Sequence, residues 1–591
     1  MKSKYGLWHV LRLVTPKLFF AGKIRFLILI LLYLGCAGLL VGEVISQQLL
    51  FDAGAALYEG TVGLMTAFIA LGVMAAVFIT NKALTPISHY MSHFLINKML
   101  GQEKSKIHKK ISRLSPEVFE DTSSLDTINK AHEGCLNAGA MANMTIYMLT
   151  FHAAYFAMMS AYLFSLSPVL ALSVIFIFIP MALGQVITAK IYIKQENAAA
   201  PIRREFDYYE RCMTDREFFK ETRILGGFSI FMDMFTNALK KMQKIQRISN
   251  RKDALVVTVT SLLTVIGYGG VLYLLLNAII GGVIGIGAFA AVFASIFRIR
   301  DMMDGVINEF RFVSRSMGSV GNYLDFLALP EVKTSGKAKE AGDIELKDLC
   351  FRYPNAEAEA IKDISLTVKK GTTIAVVGEN GSGKSTLMRL IIGLYHASSG
   401  EVLHGGVNIQ DIPLSELYQR STAVFQKYQR YQMLLSENIS ISDISTKANE
   451  EILDRVCEEA GVEPESNTFP DGYSTMLSRE FDGVDLSGGQ WQRISIARGL
   501  FRAHDMIVLD EPTAAIDPVE ETRIYNRFAE IAKDKTAFIV THRLGSVRLV
   551  DRILVLKNGR LVEDGNHDRL LAADGEYARL YKSQEQWYDN S

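Results

Sequence analysis

The stretch that decides the fold is Gly378-Glu-Asn-Gly-Ser-Gly-Lys-Ser385, which fits the pattern G-x-x-x-x-G-K-[ST]. The apolar run 374–377 before it predicts a buried strand, and the run 386–392 after it predicts a helix. In that context the glycines let the backbone wrap around phosphate groups at the N-terminus of a helix. The motif therefore predicts an α/β domain that holds a nucleotide.

The side chains of this loop indicate the chemistry further. In a loop of this pattern the lysine, here Lys384, contacts the β- and γ-phosphates, and the hydroxyl of Ser385 holds Mg²⁺. We therefore expect ATP and Mg²⁺ as cofactors. The residues of this segment that we expect at the nucleotide are Gly378, Glu379, Asn380, Gly381, Ser382, Gly383, Lys384, Ser385 and Thr386.

A second apolar run, 506–509, predicts another buried strand, and it ends in two acidic residues. The tip of such a strand can bring the carboxylate of Asp510 to the magnesium ion. Glu511, one residue further on, can polarise the water that attacks the γ-phosphate. An apolar run followed by Asp-Glu is a weak signal by itself, and its place after the phosphate-binding loop makes it informative.

Between these two motifs lies Leu486-Ser-Gly-Gly-Gln490. Alone, it could be a glycine-containing turn that caps a helix over 491–501. In this order of motifs, however, it resembles the signature sequence of the ABC ATPase family, and the resemblance extends from residue 344 to the C-terminus. In that family the signature binds the γ-phosphate held by the opposite subunit; the matching residues are Ser487, Gly488, Gly489 and Gln490.

The resemblance implies roles for four more positions. Tyr353 matches the aromatic residue that stacks on adenine, and Gln426 matches the glutamine that senses Mg²⁺ and the membrane domain. Asp517 belongs to the segment that resembles the D-loop. His542 matches the switch histidine, which acts with Glu511 in catalysis.

The same resemblance implies a dimer, because the signature acts across two subunits. The chain carries one ATPase domain, and both Glu511 and His542 are intact. This favours a homodimer with two working sites and a twofold axis. A related half-transporter as the second subunit stays open.

The N-terminal half is apolar in long runs. Hydrophobic residues make up 49% of the chain and charged residues 21%, and the apolar ones concentrate before residue 297. A helix needs about 20 apolar residues to cross a bilayer. Six stretches qualify, the last of them the shortest: 26–48, 61–79, 140–164, 168–188, 254–277 and 286–300.

Lysine and arginine favour one orientation of these spans. They are frequent in 1–25, 82–137 and 192–252, and the loop 51–60 has none. Because such residues stay on the cytoplasmic side, we expect a multi-pass protein of the cell membrane with both termini and the ATPase domain in the cytoplasm. The apolar face of segment 1–25 predicts a helix in the membrane interface, with an ordinary core helix as the alternative.

The two inner segments are each longer than 50 residues. They are either independent cytoplasmic subdomains or helical continuations of the spans that turn near 116–124 and 207–220, about 40 Å beyond the bilayer. We thus predict an α-helical six-span transmembrane domain of exporter type with long cytoplasmic helical extensions, followed by an α/β P-loop ABC ATPase domain. The predicted boundaries are 1–25 for the interfacial helix, 26–327 for the spanning domain, 328–342 for a linker and 343–591 for the ATPase domain.

The resemblance implies that ATP hydrolysis drives export of a peptide or amphipathic molecule by alternating access. Segments 116–123, 425–431 and 486–493 resemble those of bacterial nisin-type lantibiotic exporters. A lipid flippase or multidrug pump, and an ATP-gated channel, stay open as alternatives. The formal net charge of zero gives no reason to expect nucleic acid as a partner.

Polar residues inside membrane spans are candidates for the transport path. The candidates are Glu43, Gln47, His152 and Gln185. The alternative for Glu43 is contact with the outer headgroups. Arg298, at the inner end of the last span, is expected to reach the interface rather than to line the path.

Overall fold

The computed structural model describes residues 5–332, 342–354, 356–511, 535–542, 547–548 and 550–589. Within its helices, the side chains of residues 122, 173–178, 181, 185, 197 and 585–589 lie outside that description. The chain forms two compact units. The helical unit combines Met1–Ser112 with Asp126–Leu329, and the sheet unit combines Arg113–Leu125 with Pro330–Ser591.

The helical unit consists of long helices joined by short turns. They are α1 (Leu7–Ala21), α2 (Lys23–Tyr58), α3 (Leu64–Ile111), α4 (Thr122–Tyr147), α5 (Ala153–Leu166), α6 (Pro168–Thr214), α7 (Phe219–Ile224), α8 (Phe228–Ile280) and α9 (Ile286–Ala328). A turn of π-helix at Met148–His152 joins α4 directly to α5.

In the part of the chain that the structure describes, four helical stretches are long and apolar enough to cross a membrane. They are Lys23–Tyr58, Leu64–Ile111, Ser123–Leu166 and Phe228–Ile280. The remaining two predicted spans, 168–188 and 286–300, lie in α6 and α9. The unit is therefore a helical membrane domain, and the count of six spans remains a prediction.

The helices continue well past the predicted spans. Helix α3 has 48 residues, α6 has 47 and α8 has 53. This supports helical continuation over independent subdomains. The first inner turn lies near 116–124, as predicted, and contains a 3₁₀ helix at Pro116–Phe119. The second begins only at Asp215, since α6 continues to Thr214. The prediction of a loop over 51–60 is mostly wrong, since α2 continues to Tyr58.

Helix α1 packs on the other helices of its unit. Val10, Val14 and Leu18 are fully buried, whereas Trp8 is 80% exposed. Lys17 also points inward, where its Nζ donates a hydrogen bond to the buried Glu103 at 2.9 Å. One face of α1 thus belongs to the protein core, and the exposed Trp8 remains free to meet a membrane surface.

The sheet unit holds two sheets. The strands are β1 (Ile344–Phe351), β2 (Ile361–Val368), β3 (Thr373–Val377), β4 (Ser399–His404), β5 (Val407–Asn408), β6 (Ser421–Val424), β7 (Met506–Asp510), β8 (Thr536–Val540), β9 (Arg552–Lys557) and β10 (Arg560–Gly565). The helices are α10 (Lys384–Ile391), α11 (Leu414–Arg420), α12 (Leu435–Ser440), α13 (Glu450–Ala460), α14 (Gly488–Phe501), α15 (His567–Ala572) and α16 (Glu576–Asp589).

The larger sheet has the order β10-β9-β3-β8-β7-β6, and β9, β3, β8, β7 and β6 run parallel. The smaller sheet, β2-β1-β4-β5, is antiparallel. Strands β7 and β8 are buried along their whole length, which explains their continuous apolar sequence. The carboxyl ends of the parallel strands meet at one edge, where ligands bind in open α/β sheets.

Candidate functional site: the carboxyl edge of the parallel sheet

Four predicted site segments follow four neighbouring strands at this edge. The phosphate-binding loop follows β3, His542 follows β8, Asp510 and Glu511 end β7, and Gln426 follows β6. Residues more than 160 positions apart in the chain therefore converge on one place because their strands are parallel neighbours.

The loop after β3 requires glycine at two points. At Gly378, φ is +150°, and a Cβ atom would lie 2.2 Å from the main-chain oxygen of Leu556. At Gly383, φ is +103°, and a Cβ atom would lie 2.8 Å from the main-chain oxygen of Ala360. Any other residue would push the loop away from its present path, so the two glycines fix its shape.

The cationic side chain of the loop is buried. Lys384 is 5% exposed, and its Nζ donates hydrogen bonds to the main-chain oxygens of Gly378 and Glu379 at 3.0 and 2.9 Å. Burial lowers the pKa of Lys384, and the carboxylates of Glu511 and Asp510 oppose that effect. The ammonium group thus bends over its own loop, where it can meet the charge of bound phosphates.

Ser382, in the same loop, gives a test of whether an anion fits here. Its Oγ is buried and has no hydrogen-bond partner among the described residues. A buried hydroxyl without a partner is unfavourable, and a phosphate oxygen would satisfy it. The loop therefore has the donors that a nucleotide needs.

Ser385 and Asp510 form the candidate metal site. The Ser385 Oγ donates a hydrogen bond to Oδ1 of Asp510 at 3.0 Å. Burial raises the pKa of Asp510, while the hydrogen bond from Ser385 lowers it. A hydroxyl and a carboxylate are hard oxygen ligands of the kind Mg²⁺ prefers, so this pair fits the ion.

Glu511 is held from both sides. Gln426 donates from Nε2 to Oε2 of Glu511 at 2.7 Å, and His542 Nε2 lies 2.5 Å from Oε1. The backbone of Glu511 has φ of +50°, a conformation that non-glycine residues rarely adopt. Such strain is concentrated at functional sites, where surrounding contacts hold it in place.

The imidazole of His542 is tuned by the same neighbours. Burial lowers the pKa of His542, the ammonium of Lys384 lowers it further, and Glu511 acts in the opposite direction. Glu511 thus has a fixed carboxylate beside a histidine, a carboxamide and a lysine. This arrangement can orient a water molecule for attack on a phosphate and accept its proton.

Tyr353 lies close to the start of the helix that follows the loop. Its hydroxyl is 2.9 Å from Oγ1 of Thr386, and its half-buried ring packs edge-to-face against Phe351 and Tyr395. The predicted stacking of Tyr353 on adenine concerns a ligand and remains a prediction.

The signature residues begin α14. Ser487 and Gln490 form a capping box, in which the Gln490 main-chain N–H donates to Ser487 Oγ at 3.3 Å. The hydroxyl of Tyr428, two residues after Gln426, donates to the main-chain oxygen of Gly488 at 2.6 Å. The motif thus caps a helix, as the alternative held, but that helix begins at Gly488 instead of Trp491. The contact between opposite subunits that the resemblance implies remains a prediction. Gly489 occupies the first turn of the same helix.

Glu43, one of the predicted path residues, is only 4% exposed. Its Oε2 lies 2.7 Å from Nη1 of Arg298, and its Oε1 accepts a hydrogen bond from Nδ2 of Asn81 at 2.6 Å. Glu43 is therefore part of a buried cluster and is not free for headgroups, and Arg298 does not reach for the interface. Gln47 is half-buried. The side chain of Gln185, and the whole of Asp517, lie outside the described residues.

His152 has a partner that the sequence did not indicate. Its Nε2 lies 3.1 Å from Oε1 of Glu309, which is 157 positions away. Three more contacts, all in the sheet unit, were missed. Arg579 of α16 pairs with Glu379 of the phosphate-binding loop at 2.5 Å, and no local sequence pattern could have linked residues so far apart.

Within the segment 113–125, the sequence predicted a turn near 116–124, and residues 116–123 resembled lantibiotic exporters. In the structure Glu117 accepts a hydrogen bond from the main-chain N–H of His396 and lies 3.2 Å from its Nδ1. Tyr395 donates to Oε1 of Glu120 at 2.5 Å. The acidic residues of the segment were the available signal, because they needed partners in a folded unit.

Comparison with known proteins agrees with this geometry. Residues 361–514 match the family described as ABC transporter. The subtilin transport ATP-binding protein SpaT of Bacillus subtilis is 27% identical over 493 residues, which are 81% of this chain and 79% of that protein. The nisin transport ATP-binding protein NisT of Lactococcus lactis subsp. lactis is 30% identical over 401 residues, 66% of each chain.

An ATP-dependent lipid A-core flippase of Mannheimia succiniciproducens is 28% identical over 539 residues, covering 88% of this chain and 89% of the flippase. Among solved structures, a bacterial Atm1-family ABC exporter with ATP bound superposes with a TM-score of 0.77 at 19% identity, covering 95% of this chain and 98% of the exporter. The similarity to the flippase is one of sequence, whereas the similarity to the Atm1-family exporter is one of fold. With its ATP-binding domain behind a helical membrane domain, the chain belongs to the ABC transporters of exporter type.

Proposed function

We propose that two copies of this chain use ATP hydrolysis to export an amphipathic molecule, with a peptide as the first candidate, by alternating access. The observation that carries the proposal is the cluster of Gln426, Glu511 and His542 beside Lys384. Gln426 and His542 hold the two oxygens of the Glu511 carboxylate in one orientation, which supports its role toward an attacking water molecule.

In the proposed reaction the loop 378–386 holds the phosphates, with Lys384 near the β- and γ-phosphates. Ser385, Asp510 and Gln426 would hold Mg²⁺, which supplies charge neutralisation at these phosphates. Glu511 orients a water molecule and takes its proton as the water oxygen bonds to the γ-phosphorus. The bond to the β–γ bridging oxygen breaks, ADP leaves, and the proton passes to the released phosphate.

The second copy completes each site. We propose that Ser487, Gly488, Gly489 and Gln490 of one copy contact the γ-phosphate held by the other, with Asp517 at the same interface and Tyr353 against adenine. A helix N-terminus presents unpaired main-chain N–H groups to an anion, and the signature lies at such an end. A related half-transporter as the second subunit would use the same contacts.

The membrane arrangement is proposed as six spans with both termini and the ATPase domain in the cytoplasm. Its boundaries are 1–25 for an interfacial helix, 26–327 for the spanning domain, 328–342 for a linker and 343–591 for the ATPase domain. The long continuations of α3, α6 and α8 support this, since they exceed the length that a bilayer requires.

Motion is proposed to pass through the segment 113–125. It continues directly from α3 into α4, and in the sheet unit its Glu117 and Glu120 are bonded to His396 and Tyr395. Glu120 also lines a cavity of about 400 Å³ together with Ser385, Gln426 and Asp510. A shift of the metal ligands could therefore move Glu120, and with it the turn, through the walls of this cavity.

The cargo class rests on relatives. Two of them are named for transport of subtilin and nisin, and the matched lipid A-core flippase covers most of the chain, which favours a lipid as the second candidate. Purified chain in lipid vesicles should hydrolyse ATP, and the cargo should stimulate it. Peptides, lipids and drugs are compared, with Glu511→Gln as the inactive variant and Glu465→Gln as the matched surface control. Hydrolysis that survives Glu511→Gln contradicts the proposed mechanism.

A further inference from the structure

The helical unit contains a cavity of about 990 Å³ between the π-turn with α5, the start of α6, and α9. Most of its wall is apolar, with Phe156, Phe164, Leu172 and Met303 among the lining residues. This volume is in the range of sites that hold a drug-sized molecule or part of a peptide. His152 supplies a polar group to this wall.

His152 is held in place by its surroundings. It is 3% exposed, it ends the π-turn Met148–His152, and its Nε2 lies 3.1 Å from Glu309 Oε1. Gly305 faces the ring, where a Cβ atom would lie 3.1 Å from Cε1. Turns of π-helix are frequent at functional sites because they redirect a side chain at a cost in helix geometry.

The pair is incompletely satisfied. Among the described residues, His152 Nδ1 and Glu309 Oε2 are both buried and have no hydrogen-bond partner. Two buried carboxylates of this unit have such partners: Glu43 is bonded to both Arg298 and Asn81, and Glu103 to Lys17 and Lys106. Native structures rarely leave buried polar atoms unpaired, so each exception calls for a partner such as a ligand, an ion or a water molecule.

The chemistry of the two free atoms defines that ligand. Oε2 of the Glu309 carboxylate is an acceptor, and Nδ1 of His152 is a second acceptor in the tautomer whose Nε2–H donates to Glu309. No lysine or arginine neutralises Glu309 within the described part of the chain. An N–H-bearing cation can donate to acceptors of this kind, whereas the Glu309 carboxylate would repel an anionic headgroup.

We propose that this cavity binds the cargo and that the His152–Glu309 pair receives a protonated amine or guanidinium group of an otherwise apolar molecule. The inference rests on the proposed export function and narrows its cargo to cationic amphipathic molecules. Lysine-bearing peptides meet this description, and phosphorylated lipid headgroups do not.

Peptide binding measured in the absence of ATP tests the proposed cargo site separately from transport. The full chain in lipid nanodiscs is titrated with a fluorescent leucine–lysine peptide and with the same peptide whose lysines are acetylated. Glu309→Gln, which keeps the shape of the side chain, is compared with wild type, with Glu309→Asp as the charge-retaining variant and Asp301→Asn as an exposed control on α9.

We expect Glu309→Gln to weaken binding of the lysine peptide at least tenfold and to leave binding of the acetylated peptide unchanged. Glu309→Asp should retain most of the affinity. Unchanged affinity of Glu309→Gln for the lysine peptide overturns the proposal, as does equal loss for both peptides, because the effect would then be one of shape. An ATPase that is indifferent to Glu511→Gln would overturn the export function and leave this binding result standing.

Discussion

The contact between Glu117 and His396 predicts how firmly the segment 113–125 is held on the sheet unit. The Glu117 carboxylate accepts a hydrogen bond from the His396 main chain and lies 3.2 Å from its Nδ1, with the two side chains 29% and 27% exposed. Hydrogen bonds to charged groups contribute about 1.5–3 kcal/mol, and partial exposure reduces this. Glu117→Gln should therefore cost about 1–2 kcal/mol of local stability.

That cost corresponds to a fall of about 5- to 30-fold in the protection of the amides of residues 117–121 against hydrogen exchange. The measurement is exchange mass spectrometry of the full chain in nanodiscs at pH 6, with Glu465→Gln as the control. Protection equal to that of wild type in Glu117→Gln would refute the role we assign to this contact.

The same pair sets a pH dependence. The hydrogen bond that the His396 imidazole donates to the Glu117 carboxylate raises the pKa of His396, against the opposing effect of burial. This contribution is therefore full below about pH 6.5 and is lost as pH rises through the raised value. Burial tends to raise the pKa of Glu117, but the hydrogen bonds from His396 outweigh it and lower the pKa. Its contribution is full above about pH 4.5.

After correction for intrinsic exchange rates, protection of the amides of 117–121 in wild type should therefore be greater at pH 6 than at pH 9. In His396→Gln this difference should disappear. A wild-type pH response that persists in His396→Gln would contradict the assignment.

Two further predictions concern the ATP site. Gly378→Ala places a Cβ atom 2.2 Å from the main-chain oxygen of Leu556, so ATP affinity measured with a fluorescent nucleotide should fall by at least about 100-fold; wild-type affinity would contradict the close approach. The Gln584 side chain donates to the main-chain oxygen of His542, so Gln584→Ala should lower kcat several-fold with ATP affinity unchanged, and a change in affinity alone would refute a positioning role.

Much of the ATP site could be predicted from the sequence because its residues come in local patterns. Fewer than ten consecutive residues form each of the relevant elements, namely the strand before Gly378, the helix after it and the strand β7 with its acidic end. Parallel pairing of the buried strands then brings Lys384, Asp510 and Glu511 together without further information.

The missed contacts have the opposite character. His152 and Glu309 are 157 positions apart, and Glu117 and His396 meet only because the turn after α3 belongs to the sheet unit. Glu43 could be recognised as unusual in an apolar run, yet its pairing with Arg298 depends on how two distant helices pack. The hydrophobic periodicity of a sequence shows which residues share one face of a helix, but it does not show which other element packs against that face.

The most direct test of ATP-driven export uses inside-out membrane vesicles that contain the chain. We predict ATP-dependent accumulation of the labelled leucine–lysine peptide with wild type, and loss of both accumulation and hydrolysis with Glu511→Gln, which should still bind ATP. Accumulation that persists in Glu511→Gln, or wild-type hydrolysis with no accumulation of any peptide or lipid offered, would contradict the proposal.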